Sequence, residues 1–331
     1  MSLLSIRNLT TVFNCPEGKI RACNNISIDL NPGQTLGLIG ETGCGKSVLG
    51  MSILRLLPSN AQVSGQIIYN AQDLLTLPLK EMGRVRGSEI GFLPQSPATS
   101  LNPVLRIGEQ VAEGLKLHRG MSKEKAVIAA RKILESLGFR DAAKRSVQYP
   151  HQLSGGMKQR ALAAISITGK PSLLIADEPT KGLDAVVRAQ VIALLRQLTR
   201  ETNAALLVIT HDLKVAASLC DEIAVMYCGE VVEKGPAGQV LSSPSHPYTR
   251  GLIASLPDRG LHPIPGYTPS SLDDTQGCRF YSRCPYKYEN CKIEPIVSRE
   301  VNGIYVRCLY VGQGGGTQQR VQDRGFQAEA V

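Results

Sequence analysis

Thr35-Leu36-Gly37-Leu38-Ile39, running straight into Gly40-Glu41-Thr42-Gly43-Cys44-Gly45-Lys46-Ser47, is the stretch that decides the fold. A short apolar run of strand length enters a loop of the form G-x-x-x-x-G-K-S/T. From Ser47 onward Val48, Leu49, Met51, Ile53 and Leu54 recur at helical spacing. Strand, glycine-rich loop and helix in that order make a phosphate cradle. Glycines let the backbone curl until several N–H groups point inward at phosphate oxygens, and the helix N-terminus adds the positive end of its dipole. Lys46 supplies a point charge for the β- and γ-phosphates, and Ser47 a hydroxyl for Mg2+. An unrelated tight turn is the plain alternative, but it does not account for the strand before the loop and the helix after it.

A triphosphate held in this way needs a carboxylate for magnesium and a group that orients the attacking water. Leu173-Leu174-Ile175-Ala176-Asp177-Glu178 offers both, as a buried strand ending in two acids at the edge where α/β sheets hold ligands. Asp177 is expected to hold Mg2+ through water, and Glu178, one residue nearer the γ-phosphate, to polarise the attacking water. Alone, two acids after a strand read as an ordinary turn; beside the loop they read as the second half of a hydrolytic site.

Around these motifs the pattern is α/β. Leu173–Ala176 and Ala205–Thr210 are fully apolar and suit parallel strands buried on both faces, with a helix over Ala185–Thr199 between them. Leu4, Ile6 and Leu9, and then Ile26, Ile28 and Leu30, alternate with polar residues as half-buried antiparallel strands do. A mostly helical insertion runs from about Ile107 to Gly138. We therefore expect a core over 1–95 and 151–235 carrying an antiparallel β subdomain, and a helical subdomain over 96–150. A C-terminal extension is expected over 236–311, and 312–331, rich in glycine and glutamine, has the composition of a disordered tail. Prolines gather from Gly235 onward and periodicity fades, which predicts a linker and then a small cysteine-bearing module at about 270–310.

At 331 residues, and about 150 residues per domain, two structured units are expected. A hydrophobic fraction of 43% with 20% charged residues excludes disorder as the main state. No run approaches the roughly 18 apolar residues of a membrane span. The N-terminal MSLLSIRNLTTVF lacks the basic and apolar regions of a signal peptide, so secretion is not expected. Lysine and arginine number 37 against 28 acids, for a net charge of +9. That balance favours nucleotides, nucleic acid or an anionic membrane leaflet as partners. Without a dense basic block it reads equally as solvated surface charge. Nine cysteines in a chain without a leader are better read as possible metal ligands than as disulfides.

Leu153-Ser154-Gly155-Gly156-Met157, followed by Lys158-Gln159-Arg160, narrows the class. Two glycines before a helix start leave backbone N–H groups free beside a serine hydroxyl, a second phosphate-binding helix end in one chain. A chain cannot easily fold that end onto its own loop, so it is expected to serve a nucleotide held by a partner subunit. Here the sequence resembles the ABC-type ATPases, whose signature is LSGGQ; Met157 stands in place of the last Gln. The resemblance spans residues 1–235 and implies further roles. Gly40 to Val48 would bind ATP. Gln95, in Phe92-Leu93-Pro94-Gln95, would touch Mg2+ and couple to membrane subunits. Asp184, in Lys181-Gly182-Leu183-Asp184, would be the D-loop aspartate, although Lys181 and Gly182 are unusual there. His211 would contact the γ-phosphate, and Phe13 would stack on adenine, where its own setting reads as core. The family fold pairs two such domains head to tail, each ATP clamped between Gly40–Ser47 of one and Ser154-Gly155-Gly156-Met157 of the other. A P-loop kinase has no use for that second segment. A soluble relative acting on nucleic acid or ribosomes usually carries coiled coils or a second nucleotide domain, and neither is found, so no nucleic-acid partner is expected.

Ser245-His246-Pro247-Tyr248-Thr249-Arg250, Leu101-Asn102-Pro103 and Met157 are similar to the peptide and nickel importer branch of that family. The resemblance implies an ATPase driving uptake of di- or oligopeptides, with nickel or a metal chelate as the alternative cargo. It also implies a second, non-identical ATPase, two membrane permeases and an extracytoplasmic solute-binding protein as partners, at the cytoplasmic face of the membrane. Cys278, Cys284, Cys291 and Cys308 follow Cys-x5-Cys-x6-Cys with the fourth seventeen positions on. Four soft thiolates in a poorly periodic segment suit zinc or an iron–sulfur cluster, and free buried thiols are the alternative. The spacing lacks the usual C-x2-C zinc knuckle. The resembled branch implies a 4Fe-4S cluster at these positions. Cys44, inside the loop, is read as a thiol sensitive to alkylation.

Overall fold

The computed structural model describes residues 2–269 and 276–312, so the tail expected over 312–331 lies outside it beyond Gly312. Among the described residues twelve strands form two sheets: β1 (Leu4–Cys15), β2 (Gly18–Leu30), β3 (Thr35–Ile39), β4 (Ala61–Tyr69), β5 (Gln72–Asp73), β6 (Ile90–Leu93), β7 (Leu173–Asp177), β8 (Ala205–Thr210), β9 (Glu222–Tyr227), β10 (Glu230–Pro236), β11 (Arg299–Val301) and β12 (Ile304–Val306). The larger sheet runs β11-β12-β10-β9-β3-β8-β7-β6, and the smaller β2-β1-β4-β5.

In the large sheet β6, β7, β8, β3 and β9 are parallel, and β10, β12 and β11 add antiparallel pairings at one edge. β3, β7 and β8 are buried at every position. Their side chains divide between two cores, one on each face. Leu36, Leu38, Ile175, Leu207 and Ile209 meet the antiparallel sheet and the helix Lys46–Ile53 on one side. Ile39, Leu174, Ala176, Leu206 and Val208 meet the helices on the other. A strand facing two cores cannot alternate polar with apolar residues, hence the unbroken apolar runs. The smaller sheet does alternate, with Ile26, Ile28 and Leu30 turned inward.

Between β6 and β7 lie the helices Ile107–Arg119, Lys123–Ser136 and Ala142–Ser146, packed through Val111, Leu115, Ala130 and Leu134. Ser122 caps the second of them by accepting from Lys125 N.

Regular structure stands where the linker was expected to begin after Gly235. Helices follow at Ala237–Ser242 and Pro247–Ala254, and β12 pairs antiparallel with β10 through Glu233↔Val306. The prolines open elements here: Pro236 caps one helix, and Pro247 occupies the first turn of the next, where no backbone donor is needed. The cysteine-bearing segment is likewise not a separate module. Tyr248, Phe280, Ile304 and Val306 belong to the same core as the helices and the parallel strands.

Candidate nucleotide site

The loops after β3, β6, β7 and β8 leave the carboxyl edge of the sheet together, where open α/β sheets bind ligands. A cleft of about 340 Å3 opens there, lined by Thr42, Gly43, Gly45, Lys46, Ser47 and Val48 together with Gln95 and Glu178. The loop's sharp path is possible only for glycine at two points. Gly40 has φ +151° and a Cβ there would lie 2.1 Å from Met226 O; Gly45, at φ +104°, would place one 2.1 Å from Ala22 O. Lys46 is buried and its Nζ donates to Gly40 O and Glu41 O, both at 2.8 Å. The lysine thus shapes the loop and also brings positive charge to it.

Asp177 ends β7 beside the Ser47 hydroxyl. Burial raises its carboxyl above the ordinary carboxylate range, against the opposing pull of the Ser47 hydrogen bond and the Lys46 charge. Its Oδ1 is buried without a hydrogen-bond partner. Ser47, Gln95 and Asp177 are all oxygen donors, and this orphaned oxygen fits a hard divalent cation such as Mg2+.

Glu178 adopts φ +46°, uncommon for a non-glycine residue, and this turns its carboxylate toward the loop after β8. There Oε1 lies 2.7 Å from His211 Nδ1 and accepts from His211 N at 3.1 Å, while Thr210 Oγ1 donates to Oε2 at 3.3 Å. The His211 ring is half exposed. The two residues proposed from sequence to act at the γ-phosphate are therefore in direct contact.

Ser154 caps the helix Gly155–Ser166 by accepting from Met157 N at 3.4 Å. Asp184 caps the helix Ala185–Thr202 by accepting from Val187 N at 2.9 Å. The two helix starts pack together: a Cβ on Gly156 would meet Val187 Cγ1 at 2.7 Å. None of residues 154–157 lines the cleft, and Ser154 and Gly155 are exposed.

Other positions depart from the expected picture. Phe13 does not line the cleft; it lies on β1 directly opposite Ile20, and Ile20, Arg21 and Ala22 line the cleft in its stead. Lys181 and Gly229 do so as well, and sequence reasoning overlooked both. The apolar-polar alternation of β2 was the available signal, but which strand faces the loop is a tertiary fact. Cys44 is 4% exposed; burial raises its pKa, against the pull of Lys46, whose Nζ lies 3.6 Å from its sulfur.

Cys278, Cys284, Cys291 and Cys308 line one small cavity with Phe280 and Tyr286. Burial drives the first two thiols up to about 12 and about 11, and the neighbouring cysteines push them further. The all-sulfur donor set has the chemistry of a soft-metal site. The closed ligand set implied by the resemblance is nevertheless not formed: among the described residues no three His, Cys, Asp or Glu side chains stand where they could hold a metal ion.

Comparison with known proteins agrees with this geometry. The family profile described as ABC transporter matches residues 23–181, and that of the oligopeptide/dipeptide transporter C-terminal region matches 232–291. The chain is 41% identical to the oligopeptide transport ATP-binding protein OppD of Haemophilus influenzae, over 92% of this chain and 96% of the relative. It is 41% identical to OppD of Escherichia coli, over 93% of each. A dimeric ATP-binding cassette solved in a post-hydrolysis state with ADP and Pi superposes with a TM-score of 0.63 at 26% identity, covering 71% of this chain and 98% of that one. CbiO1 of Clostridium perfringens, part of the transporter complex CbiONQ, gives 0.62 at 26% identity, covering 73% and 91%.

Proposed function

Because the chain belongs to the oligopeptide and dipeptide branch of the ABC transporter ATP-binding proteins, we propose that it is the ATP-hydrolysing motor of a peptide importer. The observation that carries the reading is one cleft lined by the phosphate loop and Glu178, with the orphaned acid Asp177 beside the loop's Ser47. The relatives' names favour peptides over nickel or a metal chelate as cargo.

The proposed roles follow from the contacts. Backbone N–H groups of Thr42 to Ser47 and the Lys46 ammonium would bind the phosphates, and Ser47, Gln95 and Asp177 would hold Mg2+. Mg2+ held there would supply charge stabilisation in the transition state. Glu178 accepts a proton from, or orients, the attacking water, and His211 fixes the carboxylate. Ser154, Gly155, Gly156 and Met157, which do not line their own cleft, serve the nucleotide of a second ATPase subunit, with Asp184 at the same seam. ATP then binds the closed pair more tightly than the open one, and hydrolysis removes that preference.

Two membrane permeases and an extracytoplasmic binding protein complete the machine, which places the chain peripherally at the cytoplasmic membrane face. No helix among the described residues is long and apolar enough to cross a membrane itself. The four thiols share one cavity, and although their side chains do not stand as a closed ligand set they are the proposed place of a soft-metal group, a 4Fe-4S cluster or zinc; no step of hydrolysis runs through it. Iron and zinc analysis of anaerobically prepared protein tests that point, and metal-free protein refutes it. The functional reading is tested by ATP-dependent uptake into vesicles holding the whole transporter. Uptake of peptides is expected; uptake of nickel alone would overturn the cargo.

A further inference from the structure

The phosphate loop is gripped from outside its own subdomain. Glu41, its second residue and its one acid, does not line the cleft. Its carboxylate takes a two-pronged ion pair from Arg283: Nη1 donates to Oε2 at 2.9 Å and Nη2 to Oε1 at 3.1 Å. Thr268 Oγ1 donates to Oε2 at 3.2 Å. The Arg283 side chain is 6% exposed and is locked in turn. It donates to Pro265 O at 3.2 Å, Ile264 O at 3.4 Å and the Tyr227 hydroxyl at 3.3 Å. The backbone N–H of Glu41 donates to the hydroxyl of buried Tyr248 at 3.0 Å. On the loop's other shoulder Gly229 N donates to Cys44 O at 2.9 Å, and the preceding carbonyl, Cys228 O, accepts from Arg279 at 3.1 Å.

Elementary electrostatics says why such a grip matters. A carboxylate in a loop that must gather a triphosphate repels its ligand unless a cation cancels it, and a buried arginine fork does so in one fixed geometry. Removing the arginine leaves the acid charged and uncompensated.

We propose that Arg283, assisted by Tyr248, is a positioning residue for ATP: it holds Glu41 so that the phosphate loop keeps its binding shape, and it cancels the loop's only negative charge. The C-terminal extension is thereby part of the nucleotide site although neither Arg283 nor Tyr248 lines the cleft. This rests on the phosphate-loop reading above.

The test is calorimetric titration of the full-length chain with ATP and Mg2+. Arg283→Gln is expected to weaken binding about tenfold, within the usual range of coupling between two sites. Adding Glu41→Gln to that variant is expected to restore most of the loss, because the repelling charge is gone. A simple packing defect would not be rescued in this way. Tyr248→Phe keeps the ring in the core and removes only the acceptor; about threefold weaker binding is expected, the worth of one hydrogen bond. Should Arg283→Gln not fold, Tyr248→Phe and Arg283→Lys, which keeps the charge but loses the fork, decide the matter, both binding ATP more weakly. Wild-type affinity in these variants, or a double variant no tighter than Arg283→Gln, overturns the inference. Lys46→Ala is the control: if it too binds like wild type, the phosphate-loop reading itself falls.

Discussion

Glu178 combines an unusual backbone angle with two neighbouring groups that hold its carboxylate, and a residue kept in a sparsely populated conformation is a mark of a functional position. Glu178→Gln keeps the size and one acceptor but removes the charge that polarises water. Turnover at the site it lines is expected to drop by about 100-fold or more, the scale of a lost general base, with nucleotide binding retained. ATPase rate and bound-nucleotide content, measured with the partner's own site silenced, check this; undiminished turnover refutes the role. Cys44 offers a second residue-scale check. Its thiol is buried and shifted upward, whereas Cys15 is partly exposed. N-ethylmaleimide on native protein is expected to modify Cys15 well before Cys44, as read by peptide mass spectrometry.

At the scale of elements, the signature segment has two tasks that one variant separates. The Ser154 hydroxyl caps its own helix, so Ser154→Ala should cost the isolated chain about 1 kcal/mol, the usual worth of a cap. If the same hydroxyl also faces a partner's triphosphate, the variant should cost the assembled transporter far more in ATPase than that loss of stability explains. Chemical denaturation of the chain and ATPase of the complex, compared side by side, give the answer. The elements that carry the nucleotide site were readable because their signals are local. β3, β7 and β8 are unbroken apolar runs, and the loop, the acid pair and the glycine pair each occupy a few consecutive residues. What escaped is non-local or short. The Asn302-Gly303 turn of the β11–β12 hairpin has both residues at positive φ, a strong hairpin signal, but its strands are three residues each. Phe13, which the resemblance puts against adenine, does not line the cleft that its cross-strand neighbour Ile20 lines, and a sequence does not say which strand faces the loop. The pairing of Glu41 with Arg283 spans 242 residues and leaves no local trace.

For the molecule as a whole, the issue is whether the C-terminal extension is an appendage or part of the fold. Composition argued for an appendage, since prolines and cysteines replace periodic apolar residues after Gly235. The contacts argue the opposite. Phe280 is 1% exposed and packs edge-on against Tyr227 of β9, with ring centroids 5.3 Å apart, and against Tyr248 at 5.5 Å. β12 continues the same sheet that carries the phosphate loop, and Arg307 and Arg279 both pair with Glu230 of β10. An extension joined by shared core, shared sheet and buried charge pairs should unfold with the ATPase core. Phe280→Ala should therefore destabilise the entire chain by about 3–5 kcal/mol, as removal of a buried aromatic ring does. Calorimetry of the full chain is expected to show one cooperative transition that moves down in temperature as a unit. Two transitions, with only one of them shifted by Phe280→Ala, would mean that the extension folds on its own and that its grip on the phosphate loop is incidental.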